Sequence, residues 1–236
     1  MDRDRDDGLT MRPAGEGRIA SAPARVVSQK PPSMAGLAEA GAIRLLTKRC
    51  LDVIASLILL IFASPWLLFL AVWIKFLDGG PVIHRRRVVG LQGEFDAYKL
   101  RTMRADADRV LAQDHRLRKE YEQNFKLKND PRVTPAGRVI RRLSLDELPQ
   151  LLNVLKGEMS LVGPRMITPP ELERYGASQW IFRAVKPGVT GYWQVHRSGM
   201  DYSERIEMDL FYVQNRTLFL DLKIIMRTPL KIVKGD

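Results

Sequence analysis

The longest apolar stretch of the chain runs from Val53 to Ile74 and contains no charged residue. As an unbroken helix it reaches roughly 33 Å at 1.5 Å per residue, which is enough to cross the hydrocarbon core of a bilayer. Ser64 and Pro65 stand at its centre. The proline removes a backbone donor, clashes with the carbonyl of Ile61 and disfavours helical dihedrals at Ser64. The hydropathy pattern therefore predicts a membrane segment that is weakened in its middle.

Basic residues flank this segment on both sides. Lys48 and Arg49 precede it, while Lys75 and the arginine run 85–87 follow it. Under the positive-inside rule both ends belong on the cytoplasmic side. A spanning helix satisfies one end only, whereas a helix-break-helix hairpin that re-enters the same face satisfies both. Spanning helices also tolerate proline kinks, so the residues alone leave the two topologies nearly even. Either topology predicts a membrane-bound protein.

The remaining patterns predict short strands and amphipathic helices. Turn signals around partly β-branched runs predict a hairpin over 82–89 and 94–100. A polar pattern with a thin apolar stripe predicts a surface helix over 106–125. Another helix ends at Gly157. Two amphipathic helices follow within 202–234. Their lysines and arginines suit helices that lie on an anionic membrane surface, and their apolar residues equally suit helices that face a protein core.

Composition adds limits to this architecture. The polar first 44 residues are predicted to be a disordered tail, and they lack the apolar core of a secretory signal. One cysteine, Cys50, excludes an internal disulfide and fits a reducing compartment. The sequence thus predicts a helix-rich α+β protein, with a tail over 1–44, a membrane hairpin over 45–77 broken at Ser64-Pro65, and a cytoplasmic domain over 78–236.

The charge balance points to an anionic partner. The formal net charge is +11, and basic residues concentrate in 75–104 and 126–142. Such a balance favours nucleic acid, anionic lipid or phosphorylated substrates. Three scattered histidines and a single cysteine argue against a zinc site.

Two adjacent carboxylates, Asp146 and Glu147, lie inside this basic region. One interpretation is helix capping, because Ser144 and Glu147 have the spacing of a capping box. Pro149 weakens it: as the third residue after an Asp146 cap it has no N–H to donate, and after a Ser144 cap it interrupts the helix. The other interpretation is phosphate chemistry, since arginines bind phosphate in a bidentate manner and glycine turns expose backbone donors. Ordinary salt bridges also account for most single arginines.

Four stretches in this order resemble the monotopic phosphoglycosyl transferases, a family of bacterial sugar transferases. They are the Ser-Pro broken apolar segment, "YKLRTM", "DPRVTPAGRVIRRLSLDELPQLLNVLKGEMSLVGPR" and "PGVTGYWQV". The resemblance covers roughly residues 45–233 and favours the re-entrant hairpin, on the cytoplasmic face of the bacterial inner membrane. It implies transfer of a sugar phosphate from a UDP-sugar to undecaprenyl phosphate with release of UMP, the first membrane step of exopolysaccharide, capsule, O-antigen or glycan synthesis. The chain is expected to be a short form, without the additional membrane helices of some relatives.

The resemblance also implies residue roles and a cofactor. An aspartyl-phosphosugar intermediate is expected to form on the nucleophile, and Mg²⁺ is the implied cofactor. The implied assignments are Asp146 as nucleophile and metal ligand, Glu147 as its partner, Lys99, Arg141 and Arg165 at phosphate, and Gly188, Thr190, Gln194 and Arg197 at the nucleotide.

One departure and two rival functions accompany this resemblance. Relatives commonly place two residues, the second a glycine, between Gln-Val and the arginine. Here His196 alone separates Val195 from Arg197, so the role of Arg197 is in doubt.

The first rival is a membrane-anchored basic protein that binds anionic lipid or nucleic acid without catalysis. Sparse aromatic residues near the acid pair argue against nucleic acid. The second rival is a glycosyl transferase that releases UDP. A homo-oligomer is left open.

Overall fold

A computed structural model describes residues 42–125, 127, 129–196 and 202–234 of the chain. Most of the predicted tail, residues 1–41, and the predicted nucleotide-binding residue Arg197 therefore lie outside the described residues. The first described helix begins at Ala42 and ends at Asp78. Both ends lie close to the predicted boundaries of the membrane segment, and the division into three parts stays a prediction.

The described elements are mostly helices, joined by two small two-stranded sheets. This confirms the helix-rich α+β class and the small β element. In chain order the elements are α1 (Ala42–Asp78), β1 (Ile83–Gly90), β2 (Gly93–Leu100), α2 (Ala107–Gln113), α3 (His115–Asn124), α4 (Pro135–Arg142), a 3₁₀ turn (Leu145–Glu147), α5 (Gln150–Lys156), β3 (Ser160–Val162), α6 (Pro169–Leu172), a second 3₁₀ segment (Glu173–Trp180), α7 (Ile181–Ala184), β4 (Gly188–Thr190), α8 (Tyr192–His196), α9 (Tyr202–Asn215) and α10 (Leu218–Lys234).

Helix α1 continues through its internal proline. Pro65 has no N–H for the carbonyl of Ile61, and the Ser64 hydroxyl donates to that carbonyl instead, at 2.8 Å. A serine side chain that satisfies the freed carbonyl is one way in which membrane helices accommodate proline. The predicted helix-break-helix hairpin is therefore not shown, since this segment is one helix. By length and composition, Ile43–Leu77 is the one described helix that could cross a membrane.

One stripe of α1 packs against the rest of the protein along its length. Near the start of the helix, Asp52 accepts hydrogen bonds from the Ser160 hydroxyl at 2.7 Å and from the Leu161 N–H at 3.3 Å. Near its end, Leu70 and Ile74 are buried in a cluster with Leu100 of β2 and Ile140 of α4. The opposite side exposes large apolar residues, among them Ile58, Ile61, Phe62, Trp66, Phe69, Val72 and Phe76. Helix α1 therefore presents an apolar surface away from the domain.

The predicted hairpin is confirmed, with boundaries within one residue of those expected. Strands β1 and β2 are antiparallel, and His84 lies directly opposite Lys99. The edge of β2 is fixed by the buried Asn153 of α5. Its side-chain oxygen accepts the Tyr98 N–H at 3.0 Å, and its amide nitrogen donates to the Asp96 carbonyl at 2.8 Å.

The single helix predicted over 106–125 is wrong in one respect, because two helices occupy this range. Asp114 ends α2 in an extended conformation, and its carboxylate accepts the Leu117 N–H at 3.0 Å as the N-cap of α3. A side chain that competes for backbone donors in this way favours a new helix start over continuation. The predicted end of α5 at Gly157 is confirmed, with the glycine in the left-handed region at φ 85°.

The main core lies between the second small sheet and the C-terminal helices. Strands β3 and β4 are parallel, and a Cβ on Gly188 would lie 2.1 Å from the backbone nitrogen of Gly163. The close approach of these backbones therefore requires glycine. Helix α10 buries Ile224 against this core while it exposes Phe219 and Met226. The core-facing interpretation is thus confirmed for one face of α10, and the membrane-surface orientation of the C-terminal helices stays a prediction.

We expect Asn153→Ala to lower the free energy of unfolding by about 2–4 kcal/mol, because it leaves a buried N–H and a carbonyl of β2 without their partner. Asn215→Ala is the matched control, since its exposed amide donates to the carbonyl of Phe211, one turn earlier in the same helix. That variant should change stability by less than about 0.5 kcal/mol. Equilibrium unfolding of the detergent-solubilised variants measures both changes in stability. Equal effects would contradict the role of Asn153 in fixing the hairpin.

Candidate active site

The acid pair lies on a short 3₁₀ turn between α4 and α5. Ser144, just before it, adopts a left-handed conformation at φ 54°, and its side chain makes no capping hydrogen bond. Pro149 then precedes the first residue of α5. The capping-box interpretation of Ser144 and Glu147 is therefore wrong, because the chain reverses at Ser144 instead of entering a helix there. The turn presents Asp146 and Glu147 as consecutive side chains outside a regular helix.

Lys99 connects the hairpin to this turn. Its ammonium group lies 2.7 Å from a carboxylate oxygen of Glu147 and 3.9 Å from one of Asp146. Lys99 is the next-to-last residue of β2, so the hairpin geometry sets its direction. The structure thus brings together three of the residues that the sequence assigned to catalysis and phosphate binding. One cation is shared by two acids, which reduces their mutual repulsion.

Burial gives Asp146 an unusual protonation equilibrium. The residue is buried, and this desolvation raises the pKa of its carboxyl to about 6. The neighbouring Glu147 raises the pKa further, while Lys99 and Arg141 lower it. The two cations therefore keep Asp146 mostly ionised at neutral pH despite its burial. A desolvated carboxylate with an elevated pKa is a better base and nucleophile than an exposed one.

Arg141 is held beside the pair by α4. The helix begins at Pro135, and the side chain of Thr134 before it caps it by accepting the Gly137 N–H. Near its end, the Arg141 Nε donates to the Thr102 hydroxyl at 2.8 Å. Arg141 also contributes an electrostatic attraction to the charged form of Asp146. The residue is thus positioned to place positive charge near any phosphate that meets the acid pair.

Arg165 belongs to a second group, next to the aromatic ring of Trp193. Its guanidinium lies 4.9 Å from the ring centroid, a cation–π distance. Its backbone N–H donates to Asp209 at 3.1 Å, and the same carboxylate accepts from the Tyr175 hydroxyl at 2.9 Å. Asp209 is fully buried, which raises its pKa to about 6. Asp209 therefore fixes the backbone at Arg165, although no motif in the sequence points to it.

The residues predicted to hold the nucleotide lie in and after β4. Gly188 and Thr190 are buried, and the Thr190 hydroxyl is hydrogen-bonded to that of Thr228 at 2.8 Å. Gln194 lies on α8 with its amide 3.5 Å from the carbonyl of Val189. These contacts give Gly188 and Thr190 a packing role. Their predicted role at a nucleotide stays a prediction.

The side chains at the acid pair fit one kind of Mg²⁺ site, in which the substrate supplies part of the coordination. No group of three or more His, Cys, Asp or Glu side chains able to hold a metal occurs in the described part of the chain. Mg²⁺ is commonly bound by one or two carboxylates, with substrate phosphates and water completing its coordination. Because Glu147 already pairs closely with Lys99, Asp146 is the carboxylate more available to the ion. The residues thus fit a substrate-dependent Mg²⁺ site.

The structure also adds residues that the sequence analysis did not assign to the site. His84 is the cross-strand neighbour of Lys99, and Thr102 orients Arg141. Strand alternation could have found His84, given the register of the hairpin. Arg132, by contrast, forms a bidentate pair with Asp130 at 2.8 and 2.7 Å, as the salt-bridge interpretation of single arginines predicts.

Comparison with known proteins identifies related sequences over most of the chain. The profile of the bacterial sugar transferase family matches residues 43–235. The undecaprenyl-phosphate galactose phosphotransferase of Salmonella typhimurium is 47% identical over 196 residues, which cover 80% of this chain and 41% of that protein. The exopolysaccharide production protein ExoY of Rhizobium meliloti is 43% identical over 199 residues, 80% of this chain and 88% of that protein.

A third relative carries a more explicit name. The UDP-glucose:undecaprenyl-phosphate glucose-1-phosphate transferase of Caulobacter vibrioides is 40% identical over 202 residues, 81% of this chain and 71% of that protein. The match thus spans less than half of the Salmonella relative but most of the other two.

We expect Asp146→Asn to stabilise the fold at high pH. The folded-state pKa of Asp146 is raised from 3.8 to about 6, so the native state binds more protons than the unfolded state between these values. Stability therefore falls as pH rises through this window, by up to about 3 kcal/mol. The neutral asparagine avoids that cost. Unfolding measured at pH 4 and pH 8 should give a gain at pH 8 that shrinks several-fold at pH 4.

Glu94→Gln, at the exposed start of β2, provides the control. Its unfolding free energy should differ from that of the parent by less than about 0.5 kcal/mol at both pH values, as is usual for an exposed ion pair. A destabilised Asp146→Asn protein at pH 8, or a gain independent of pH, would contradict the burial argument.

Proposed function

The chain belongs to the bacterial sugar transferase family, and on that premise we propose that it moves a sugar 1-phosphate from a UDP-sugar to undecaprenyl phosphate and releases UMP. The observation that carries this proposal is the buried Asp146, ionised beside Lys99 and Arg141. The names of the Salmonella and Caulobacter relatives support undecaprenyl phosphate as the acceptor, and the Caulobacter name supports a UDP-sugar donor. The name of the Rhizobium relative supports a role in exopolysaccharide production.

In the first step, a carboxylate oxygen of Asp146 attacks the phosphorus that bears the sugar. A new bond forms between this oxygen and phosphorus while the bond from phosphorus to the UMP oxygen breaks, and UMP leaves. The sugar phosphate is then held as an acyl phosphate on Asp146. A carboxylate suits this step, because an acyl phosphate is reactive enough to transfer its group again.

In the second step, a phosphate oxygen of undecaprenyl phosphate attacks the same phosphorus. The bond between phosphorus and the Asp146 oxygen breaks, which regenerates the carboxylate. The product is undecaprenyl diphosphate-sugar. Two displacements at one phosphorus need no proton transfer to the nucleophile, so an ionised acid pair suffices.

The cations around the pair stabilise the charge of the transferring group. Lys99 and Arg141 surround Asp146, and Glu147 holds the Lys99 ammonium at 2.7 Å. Arg165 is assigned to a phosphate of the donor or acceptor. Fixed positive charge of this kind lowers the barrier to phosphoryl transfer, because it is already oriented when charge develops on the oxygens. Mg²⁺ bound at Asp146 would supply further charge neutralisation on the substrate phosphates.

The two rival functions make different predictions. A basic protein that binds anionic lipid or nucleic acid without catalysis has no need of a buried carboxylate beside a second acid, and the transferase names of the relatives give it no support. A glycosyl transferase that moves the sugar alone would release UDP. The identity of the released nucleotide therefore separates it from the proposed reaction.

For the membrane segment, we propose that α1 enters and leaves the bilayer through its cytoplasmic face. Leu60 packs against the main core, and Leu67 packs against the cluster that contains Leu100. Seven residues of helix rise about 10 Å, far less than the roughly 30 Å hydrocarbon core. The domain thus contacts α1 on both sides of a segment too short to span. A helix bends most readily at proline, so Ser64-Pro65 is the assigned turning point.

We expect the purified full chain, with undecaprenyl phosphate and Mg²⁺, to release UMP from at least one sugar in a panel of UDP-sugars. Asp146→Asn should lower the rate at least about 1,000-fold, and EDTA should abolish it. Asp96→Asn, on the outer face of the hairpin, is the control and should retain the parent rate. Release of UDP would overturn the two-displacement route. Equal rates for Asp146→Asn and the parent would overturn the nucleophile.

The topology can be tested with the single native cysteine. Cys50 is exposed on α1 ahead of the apolar middle, and Pro81 lies just beyond its end. In inside-out vesicles, a membrane-impermeant maleimide should label Cys50 in the parent, and the new cysteine in a Cys50→Ser, Pro81→Cys variant. Labelling of both from the cytoplasmic face supports the re-entrant segment. Labelling from opposite faces would establish a spanning helix.

A further inference from the structure

A cleft of about 400 Å³ opens beside the hairpin, along the part of β1 that contains His84. Its volume is comparable to that of small-molecule sites, but the cleft is shallow and largely open to solvent. None of the roles proposed above uses the residues that line it. They are His84, Arg85, Arg86, Arg87, Tyr121, Phe125, Thr168, Pro169 and Pro170.

The register of the hairpin connects this cleft to the acid pair. His84 is directly opposite Lys99, and Arg86 is opposite Ala97, so His84, Arg86 and Lys99 project from the same face. Lys99 contacts Glu147. Lys99, His84 and Arg86 therefore form a row that leads from the acid pair along the hairpin, with Arg86 about 7 Å along β1 beyond His84. Burial and the neighbouring cations lower the pKa of His84, so its imidazole serves the row as a hydrogen-bond donor and the two flanking side chains carry the charge. Arg87, by contrast, points to the outer face, where it pairs with Glu94 and Asp96.

Flat apolar surfaces form the far wall of the cleft. Tyr121 and Phe125 lie one turn apart on α3 and at its end, with ring centroids 6.0 Å apart. The guanidinium of Arg132 lies 5.2 Å from the Tyr121 centroid, and that of Arg174 lies 5.2 Å from the Phe125 centroid. Both rings are therefore held in place by contacts with cations. Pyrimidine and purine bases bind to such aromatic surfaces by stacking.

Arg86 is held at the cleft by a buried acid. Its guanidinium lies 3.3 Å from Glu171, which is fully buried and also accepts the N–H and the hydroxyl of Thr168 at 2.8 Å. A guanidinium carries five donors, so this contact leaves it able to bind a phosphate oxygen. The side chain is therefore preorganised as an anion-binding group next to the aromatic wall.

The chemistry of the cleft suits a nucleoside diphosphate better than a lipid. It combines aromatic and proline surfaces for a base with a basic row for phosphates. The β4 segment offers less to a base, because Gly188 and Thr190 are buried and the Thr190 hydroxyl is already bonded. The apolar surface suited to a prenyl chain lies on α1.

We infer that the uridine of the donor stacks in this cleft against Tyr121 and Phe125, with its diphosphate along His84 and Arg86. The inference rests on the proposed function, since it assigns the donor of that reaction. With the base at the aromatic wall, the row of basic side chains directs the sugar-bearing phosphorus toward Asp146. The cleft thus determines donor nucleotide selectivity, and the acid pair performs the transfer.

Photoaffinity labelling of the full chain in nanodiscs locates the base. The probe is 5-azido-UDP, with unlabelled UDP as competitor, followed by tryptic peptide mapping. We expect UDP-protectable label on the peptide of residues 120–126, which holds both aromatic residues. Protectable label on the peptide of residues 184–197 would overturn the inference and leave the proposed function intact. The absence of protectable label together with active UMP release would also overturn it. The absence of both would overturn the proposed function itself.

Kinetic variants test the same site without a probe. Tyr121→Ala should raise the KM for the UDP-sugar at least about 10-fold, the effect expected from loss of one base–aromatic stack, with little effect on the KM for undecaprenyl phosphate. Tyr121→Phe keeps the ring and should restore the donor KM to within 3-fold. Tyr98→Ala, an aromatic residue on the opposite face of the hairpin, is the control. An unchanged donor KM in a folded Tyr121→Ala protein, or a raised acceptor KM, would overturn the inference.

Discussion

The ion pair between Lys99 and Glu147 connects the two parts of the site, a hairpin and a turn that are 48 residues apart in sequence. It places a cation within 3.9 Å of the buried Asp146, where two adjacent carboxylates would otherwise repel each other. Without it, burial would favour the protonated form of Asp146. The charge on the proposed nucleophile therefore depends on the docking of the hairpin, which Asn153 fixes through the backbone of β2.

Helix α1 also supports this site, through packing. Leu70 and Ile74 of α1 pack in one cluster with Leu100 and Ile140. Leu100 follows Lys99, and Ile140 precedes Arg141. The long apolar helix α1 thus packs against the two elements that place cations beside Asp146. This packing holds the acid pair at a fixed position relative to the apolar surface of α1, as the proposed transfer to a membrane acceptor requires.

Local patterns identified most elements correctly, and they failed where a distant or competing contact decided the outcome. The hairpin, the end of α5 and the amphipathic C-terminal helices follow from turn residues and periodicity. The range 106–125 divides at Asp114, since its carboxylate caps a new helix. The re-entrant turn at Ser64-Pro65 stays a proposal, because the described segment is one helix with Pro65 inside it. The capping interpretation of Ser144 failed because that residue reverses the chain in the left-handed region.

The sequence by itself determined the apolar segment, the order of the elements, and the acids and cations available for phosphate chemistry, since each of these depends on residue type and local spacing. The tertiary structure decided which of them meet. It placed Lys99 against the acid pair and His84 beside Lys99, gave Asp146 its raised pKa, and buried Gly188 and Thr190 in packing contacts. Register, burial and desolvation depend on contacts between segments far apart in the chain, and no local pattern encodes them.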